Sequence, residues 1–189
     1  MIQEAARMRV DVSEVIISKA IAIASSLVGT KEELGANRGK IVDLIEQDFK
    51  TKGVAWCVMF VWHCYNEASK AIGAGTIPLY FTASSQALYN HYKNEEFTFT
   101  DPMKLRTGDI AIWQNGTSWT GHAGLVTGYY SPMKFVFPTI EGNTSTDDKG
   151  SQDNGDGVYR KIRRAKPDSF TGSGFHLRGF IDIRKVLNG

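Results

Sequence analysis

The sequence predicts an α+β fold in which N-terminal helices pack on a C-terminal antiparallel β-sheet. Three observations carry that expectation. Up to about residue 92, apolar residues recur with a helical period of three to four. After residue 100 the texture changes to short apolar runs and alternating stretches separated by Gly, Pro, Asn and Ser. Finally, the strand-like runs follow one another without intervening helical segments, which favours antiparallel neighbours over parallel crossover units.

The elements follow in order. Residues 1–10 read as a loose lead-in, and 11–189 as one domain. Asp11 with Glu14 three residues later is a capping-box variant. Val15, Ile16, Ala20, Ile21, Ile23, Ala24, Leu27 and Val28 then follow a helical period up to Gly29. A second helix is expected from about Gly39 to Phe49, with Ile41, Leu44, Ile45 and Phe49 inward. The polar break Lys50-Thr51-Lys52-Gly53 precedes a third helix over roughly Trp56 to Ile72, ended by Gly73 and Gly75. Ser84 or Ser85 caps a short fourth helix reaching Tyr92. Strands are expected at Ile110–Trp113, His122–Tyr130, Phe135–Glu141, Gly157–Arg163 and Leu177–Ile183, with an exposed loop over Thr144–Gly157.

Composition narrows the function classes. The 189 residues are 42% hydrophobic and 22% charged, which is globular usage. A formal net charge of +2 and the absence of a long basic run argue against nucleic-acid binding. The cluster Lys161, Arg163, Arg164 and Lys166 reads as a solvated strand face. No segment approaches the roughly 20 apolar residues of a membrane span. The N-terminus, with an acid early and no apolar stretch of signal-peptide length, is not read as a leader.

Two cysteines occur, Cys57 and Cys64. On one helix, at 1.5 Å rise per residue, they stand about 10 Å apart along the axis. A disulfide needs roughly 7 Å or less, so they are not expected to pair. Cys57 opens its helix after a flexible break, where the helix dipole and free N–H groups favour a thiolate; Cys64 reads as core. His122, between Gly121 and Ala123-Gly124 at a strand start, is the candidate base. His63, His91 and His176 read as structural or surface residues. Glu141, on the next strand, is the candidate to orient the imidazole, and Asn143 is a further polar candidate for the ring or an oxyanion. Trp56, Trp113 and Trp119 are candidates for lining a substrate groove, although aromatics are more often core. Asp147, Asp148, Asp153 and Asp156 have the composition of a calcium loop but miss its spacing. No zinc spacing links the cysteines and histidines, and no phosphate loop or dinucleotide fingerprint is present.

Taken in order, Trp56-Cys57, Gly108-Asp109-Ile110-Ala111-Ile112-Trp113, Gly121-His122-Ala123-Gly124-Leu125-Val126 and Glu141-Gly142-Asn143 resemble the CHAP family of cysteine, histidine-dependent amidohydrolases and peptidases, within the NlpC-like, papain-like superfamily. The resemblance covers most of residues 15–183. It implies a papain-like fold with the nucleophile at a helix N-terminus and the base on the sheet. It implies cleavage of an amide bond in peptidoglycan, at the glycan–stem junction or within the stem peptide or cross-bridge. By position it makes Cys57 the nucleophile, His122 the base, Glu141 the third member and Asn143 a further polar group. Thr107-Gly108 stands where a proline is common. The acidic stretch that binds calcium in some members is not evident before Cys57, so no metal or other cofactor is expected. Peptidoglycan is the implied partner, and the bacterial cell wall the place of action. A delivery system or an immunity partner would belong to an effector setting. Two readings stand beside this one: a protein-directed cysteine protease or amidase toxin, and a non-catalytic wall-binding module on the same fold.

Overall fold

The computed structural model describes residues 11–146, 155–166 and 174–189. The lead-in expected over residues 1–10, and Asp147, Asp148 and Asp153 of the acidic loop, lie outside them. Four helices come first: α1 (Val12–Ser26), α2 (Lys40–Gln47), α3 (Cys57–Ala71) and α4 (Ser85–Asn94). Six strands follow: β1 (Thr98–Phe99), β2 (Ile110–Asn115), β3 (Gly121–Val126), β4 (Val136–Thr144), β5 (Gly157–Arg164) and β6 (Phe175–Ile181). A short helix α5 (Ile183–Asn188) ends the chain. The strands form one antiparallel sheet in the order β1-β6-β2-β3-β4-β5. This is the α+β arrangement expected from the sequence. No helix among the described residues is long and apolar enough to cross a membrane.

The helices start where their caps predict. The Asp11 carboxylate accepts from the Ser13 N–H at 2.9 Å and opens α1. The Ser84 hydroxyl accepts from the Ala87 N–H at 3.2 Å and opens α4. Helix α1 buries Ile16, Ile17, Ala20 and Ala24 against α3, itself buried along most of its length. Leu44, expected inward on α2, is instead 51% exposed, and Val42 and Ile45 take the inner face. The short α5 packs on α1, tied by the Arg184–Glu14 ion pair at 2.5 Å and by Ser13 Oγ donating to Asn188 Oδ1 at 2.6 Å.

Alternation divides the sheet into two faces. Ile110, Ile112, Ala123, Leu125, Ile140, Val158 and Ile181 join the helices in the main core. Ala111, Trp113, Val126, Phe137, Leu177 and Phe180 build a smaller apolar cluster on the other face. His122 is directly opposite Trp113 across the β2–β3 ladder, so it belongs to this second face. The β4–β5 ladder breaks between Glu141 and Thr144, which frees Gly142 and Asn143 from regular pairing. Asn143 takes a left-handed backbone (φ 53°) there, a conformation that asparagine tolerates better than most residues.

Several strand ends differ from the sequence expectation: β2 runs on to Asn115, β4 runs on to Thr144, and β6 starts at Phe175. The strand begun at His122 ends at Val126 rather than Tyr130. The last strand stops at Ile181, because the Asp182 carboxylate accepts from the Arg184 N–H (3.1 Å) and Lys185 N–H (3.4 Å) and starts a helix instead.

Candidate active site

Cys57 is the first residue of α3 and is held at that end by packing, not by a capping side chain. Trp56, at the cap position, makes no side-chain cap bond, so the first-turn N–H groups have no side-chain acceptor there. Trp56 is instead an anchor. Its ring is fully buried, meets Phe60 edge-on, and its indole N–H donates to Glu32 Oε1 at 2.9 Å. Gly142 of β4 lies against the same two rings. A Cβ there would come within 2.6 Å of Trp56 and 2.7 Å of Phe60. This glycine lets the end of β4 press onto the start of α3, and so brings the sheet to the cysteine.

Antiparallel pairing puts the start of β3 and the end of β4 at one end of the sheet. Cys57, Ala55, Ser84, Ser85, Trp119, Gly121 and Asn143 are among the residues lining a groove of about 360 Å³ at that end. Both cysteines are free. Cys64, two turns further along α3, is wholly buried, and burial pushes its thiol far up. It is a packed residue, as the sequence indicated.

His122 is buried on β3. Its Nε2–H donates to Glu141 Oε2 at 2.9 Å, and its Nδ1 is buried without a hydrogen-bond partner. Burial alone would lower the imidazole pKa. Interaction with Cys57 and then with Glu141 outweighs burial and raises it to about 9. Glu141 thus occupies Nε2, and Nδ1 is the ring nitrogen left for Cys57.

Glu141 is wholly buried. Its side chain crosses over Gly124, where a Cβ would lie 2.8 Å from its Cγ. Gly124, two residues on from His122, therefore clears space for the acid. Burial would push the carboxyl up. Arg163 first, and then His122, hold it well below the usual carboxylate range. Arg163 from β5 grips both oxygens: Nε donates to Oε1 at 2.7 Å and Nη2 donates to Oε2. Thr139 adds an O–H donor to Oε1 at 2.5 Å.

The structure rearranges the other expected site residues. Asn143 lines the groove, but its amide donates to Asn37 Oδ1 (2.8 Å) and Glu32 Oε1 (3.3 Å), away from the imidazole. Among the described residues, Glu141 is the carboxylate bonded to the ring. Trp56 does not line the groove, because it is the buried anchor described above. Trp113 does not line it either. It is 5% exposed in the second apolar cluster, with its ring 5.7 Å from that of His122 and beneath the Arg163 guanidinium at 5.3 Å. Trp119 does line the groove and is 71% exposed.

Arg163 and Lys161 are the main correction. They were expected on a solvated strand face, yet both are buried, while Ile162 between them is 62% exposed. Lys161 Nζ donates to the Ser145 carbonyl at 2.9 Å. The other histidines have local partners or none: His91 stacks on Tyr80 at 4.0 Å, His176 Nδ1 pairs with the Gly174 carbonyl at 3.0 Å, and His63 Nδ1 is buried without a partner. Among the described residues, Asp48, His63 and Glu67 are the group whose arrangement could hold a metal ion, with one ligand atom each and all within 4.8 Å. None of the three lines the groove.

Comparison with the curated proteins and with the solved structures gives no match. A model of the CHAP domain matches residues 49–143, half of the chain and a span that runs from before Cys57 through His122 and Glu141 to Asn143. With that match, and with a helix-opening cysteine, a strand histidine and its carboxylate partner at one end of the sheet, the chain belongs to the CHAP family.

Proposed function

We propose that this chain is a peptidoglycan hydrolase that cuts an amide bond of the bacterial wall, at the glycan–stem junction or within the stem peptide or cross-bridge, with Cys57 as nucleophile. CHAP domains act as amidases and peptidases on peptidoglycan, which supports the substrate class. The observation that carries the reaction type is the pairing of a groove-lining Cys57 with a buried imidazole whose far nitrogen is bonded to Glu141.

In this reading Cys57 yields its proton to His122 Nδ1, and the thiolate attacks the amide carbonyl. Glu141 keeps Nε2 protonated and offsets the charge of the imidazolium. The backbone N–H of Cys57, at an α3 N-terminus that no side chain caps, faces the developing oxyanion. His122 then protonates the leaving amine, the C–N bond breaks, and a thioester remains on Cys57. Water, deprotonated by His122, attacks that thioester and restores the thiol. The exposed Trp119 and Ser84, the cap residue of α4, line the groove and in this reading contact the bound peptide.

The test is mass spectrometry of fragments released from purified peptidoglycan by the wild type and by Cys57→Ala, with protein substrates alongside. The expected result is muropeptide products with a new amine and carboxyl terminus, and a loss on the order of 10⁴-fold in the variant. Wall digestion by Cys57→Ala at the wild-type rate overturns the reading. Cleavage of proteins with no wall product moves the substrate to the protease class.

A further inference from the structure

We propose that Arg163 is a positioning residue of this active site, which clamps Glu141 onto His122 and so sets the pH range over which the imidazole is held. The inference rests on the Cys57–His122–Glu141 reading above.

A wholly buried carboxyl group is driven toward its neutral form unless charge and hydrogen bonds oppose burial. A neutral Glu141 would be a poor partner for an imidazolium and could turn its own O–H to the ring, reversing the direction of the hydrogen bond. Arg163 blocks this. Its planar fork donates once to each carboxylate oxygen, which fixes both the charge and the plane of the group. The Oε2 that receives Nη2 is the same oxygen that receives the His122 Nε2–H.

The guanidinium is itself held. It lies 5.3 Å over the Trp113 ring, and that ring packs at 6.3 Å on Phe137 in the second apolar cluster. Arg163 stands opposite Phe137 in the β4–β5 register, four positions from Glu141 along β4. The reach between them is diagonal, over Thr139, whose hydroxyl completes the clamp on Oε1. The charged and titratable groups around Glu141 come from several elements. His122 lies on β3, and Arg163, Lys161 and Tyr159 lie on β5, with Tyr159 directly opposite Glu141 in register. Cys57 of α3 acts on the ring itself. Lys161 sends its ammonium to the Ser145 carbonyl, so Arg163 is the cation that grips the carboxylate.

The experiment compares wild type, Arg163→Met, Arg163→Lys and Cys57→Ala, reading kcat and KM on peptidoglycan fragments against pH, and the His122 ring nitrogens by NMR. In Arg163→Met the acid limb of kcat is expected to move up by about one pH unit or more, as Glu141 is released to burial. At neutral pH kcat is expected to fall about 10- to 100-fold with KM within about threefold, the pattern of an interaction made in the transition state. Arg163→Lys is expected to keep the acid limb near its wild-type place but not to recover kcat, since an ammonium cannot make the paired bonds of a guanidinium. A folded Arg163→Met with the wild-type pH profile overturns the proposal. If Arg163→Met does not fold, Arg163→Lys decides, and an unchanged kcat there overturns it. Retained activity in Cys57→Ala would instead remove the reaction assignment. The NMR titration of His122 would still show whether Arg163 governs the Glu141–His122 pair.

Discussion

Cys57 and Cys64 share one helix and one chemistry, and differ only in what surrounds them. Their separation into a groove-lining and a packed thiol was legible in the sequence, because the break at residues 50–53 marks a helix start and Cys64 falls two turns inside it. His122 and Glu141 were legible as a pair for a similar reason, since consecutive strands place them within reach. Arg163 was not. A strand shows which residues alternate, but not which face is buried: Val158 enters the main core, yet Ile162 on the same face is 62% exposed, and Lys161 and Arg163 are buried on the other. The local signal was present only as an imbalance: a buried acid beside an imidazole needs a cation, and β5 carries the nearest ones. This arrangement predicts a double cost for Glu141→Gln. The amide cannot carry the charge that stabilises the imidazolium, and kcat should fall by on the order of 10³-fold or more, as when the orienting carboxylate of a catalytic triad is neutralised. Arg163 would also lose the carboxylate that its fork grips, and breaking a buried ion pair by removing one partner costs up to about 3–5 kcal/mol. For a chain of this size each kcal/mol shifts the melting temperature by about 2–4 °C. Calorimetry should therefore show a drop of about 10 °C, and a variant with wild-type melting would remove Arg163 from the buried ion pair.

At the scale of elements, helices with caps and long apolar faces were readable, and the short pieces were not. The two-residue β1, the turn of 3₁₀ helix at Pro102–Lys104 and α5 are too brief for periodicity to register. Alternation carries the expected strand through Ile183, although Asp182 is a helix-capping residue. The ends of β3 and β4 also held a feature that composition alone leaves ambiguous. Gly124 and Gly142 both permit a close approach, but of different partners: Gly124 of the Glu141 side chain, Gly142 of the Trp56 and Phe60 rings. Alanine should separate these roles. Gly142→Ala places a methyl group 2.6–2.7 Å from two buried rings, an overpacking expected to cost about 1–3 kcal/mol. Gly124→Ala instead drives a methyl group against the Glu141 Cγ, so its activity loss should be the larger of the two, because the carboxylate is pushed from the imidazole. Thermal melts and hydrolysis rates measured on both variants check this. A Gly142→Ala protein less active than Gly124→Ala would reverse the assignment.

For the whole molecule, the buried charges couple the active site to folding, and the coupling has a sign. Glu141 titrates below the ordinary carboxylate range in the folded protein. Its contribution is present above the unfolded pKa of about 4.3 and is lost as the pH falls through the folded value. Asp109, at the foot of β2, goes the other way. Burial raises it to about 7, so ionising it costs stability over the window from about 4 to 7. His122 is raised to about 9. Its contribution is full below the unfolded pKa of about 6.5 and is lost as the pH rises through 9. Asp109 is half titrated near pH 7 and its cost is complete by about pH 8, while Glu141 stays ionised, so above about pH 8 His122 is the group of the three that still titrates. Unfolding free energy from urea denaturation should therefore still decline from about pH 8 to about 9. The decline depends on Cys57, which is first among the groups that raise the imidazole against burial. In Cys57→Ala only Glu141 is left to oppose burial. The decline should then be smaller and should begin at a lower pH, while the acid side of the curve, set by Glu141 and Asp109, keeps its shape. An unchanged alkaline limb in Cys57→Ala would mean that the thiol does not act on the imidazole, and would separate the helix-opening cysteine from the histidine that the fold sets at the same end of the sheet.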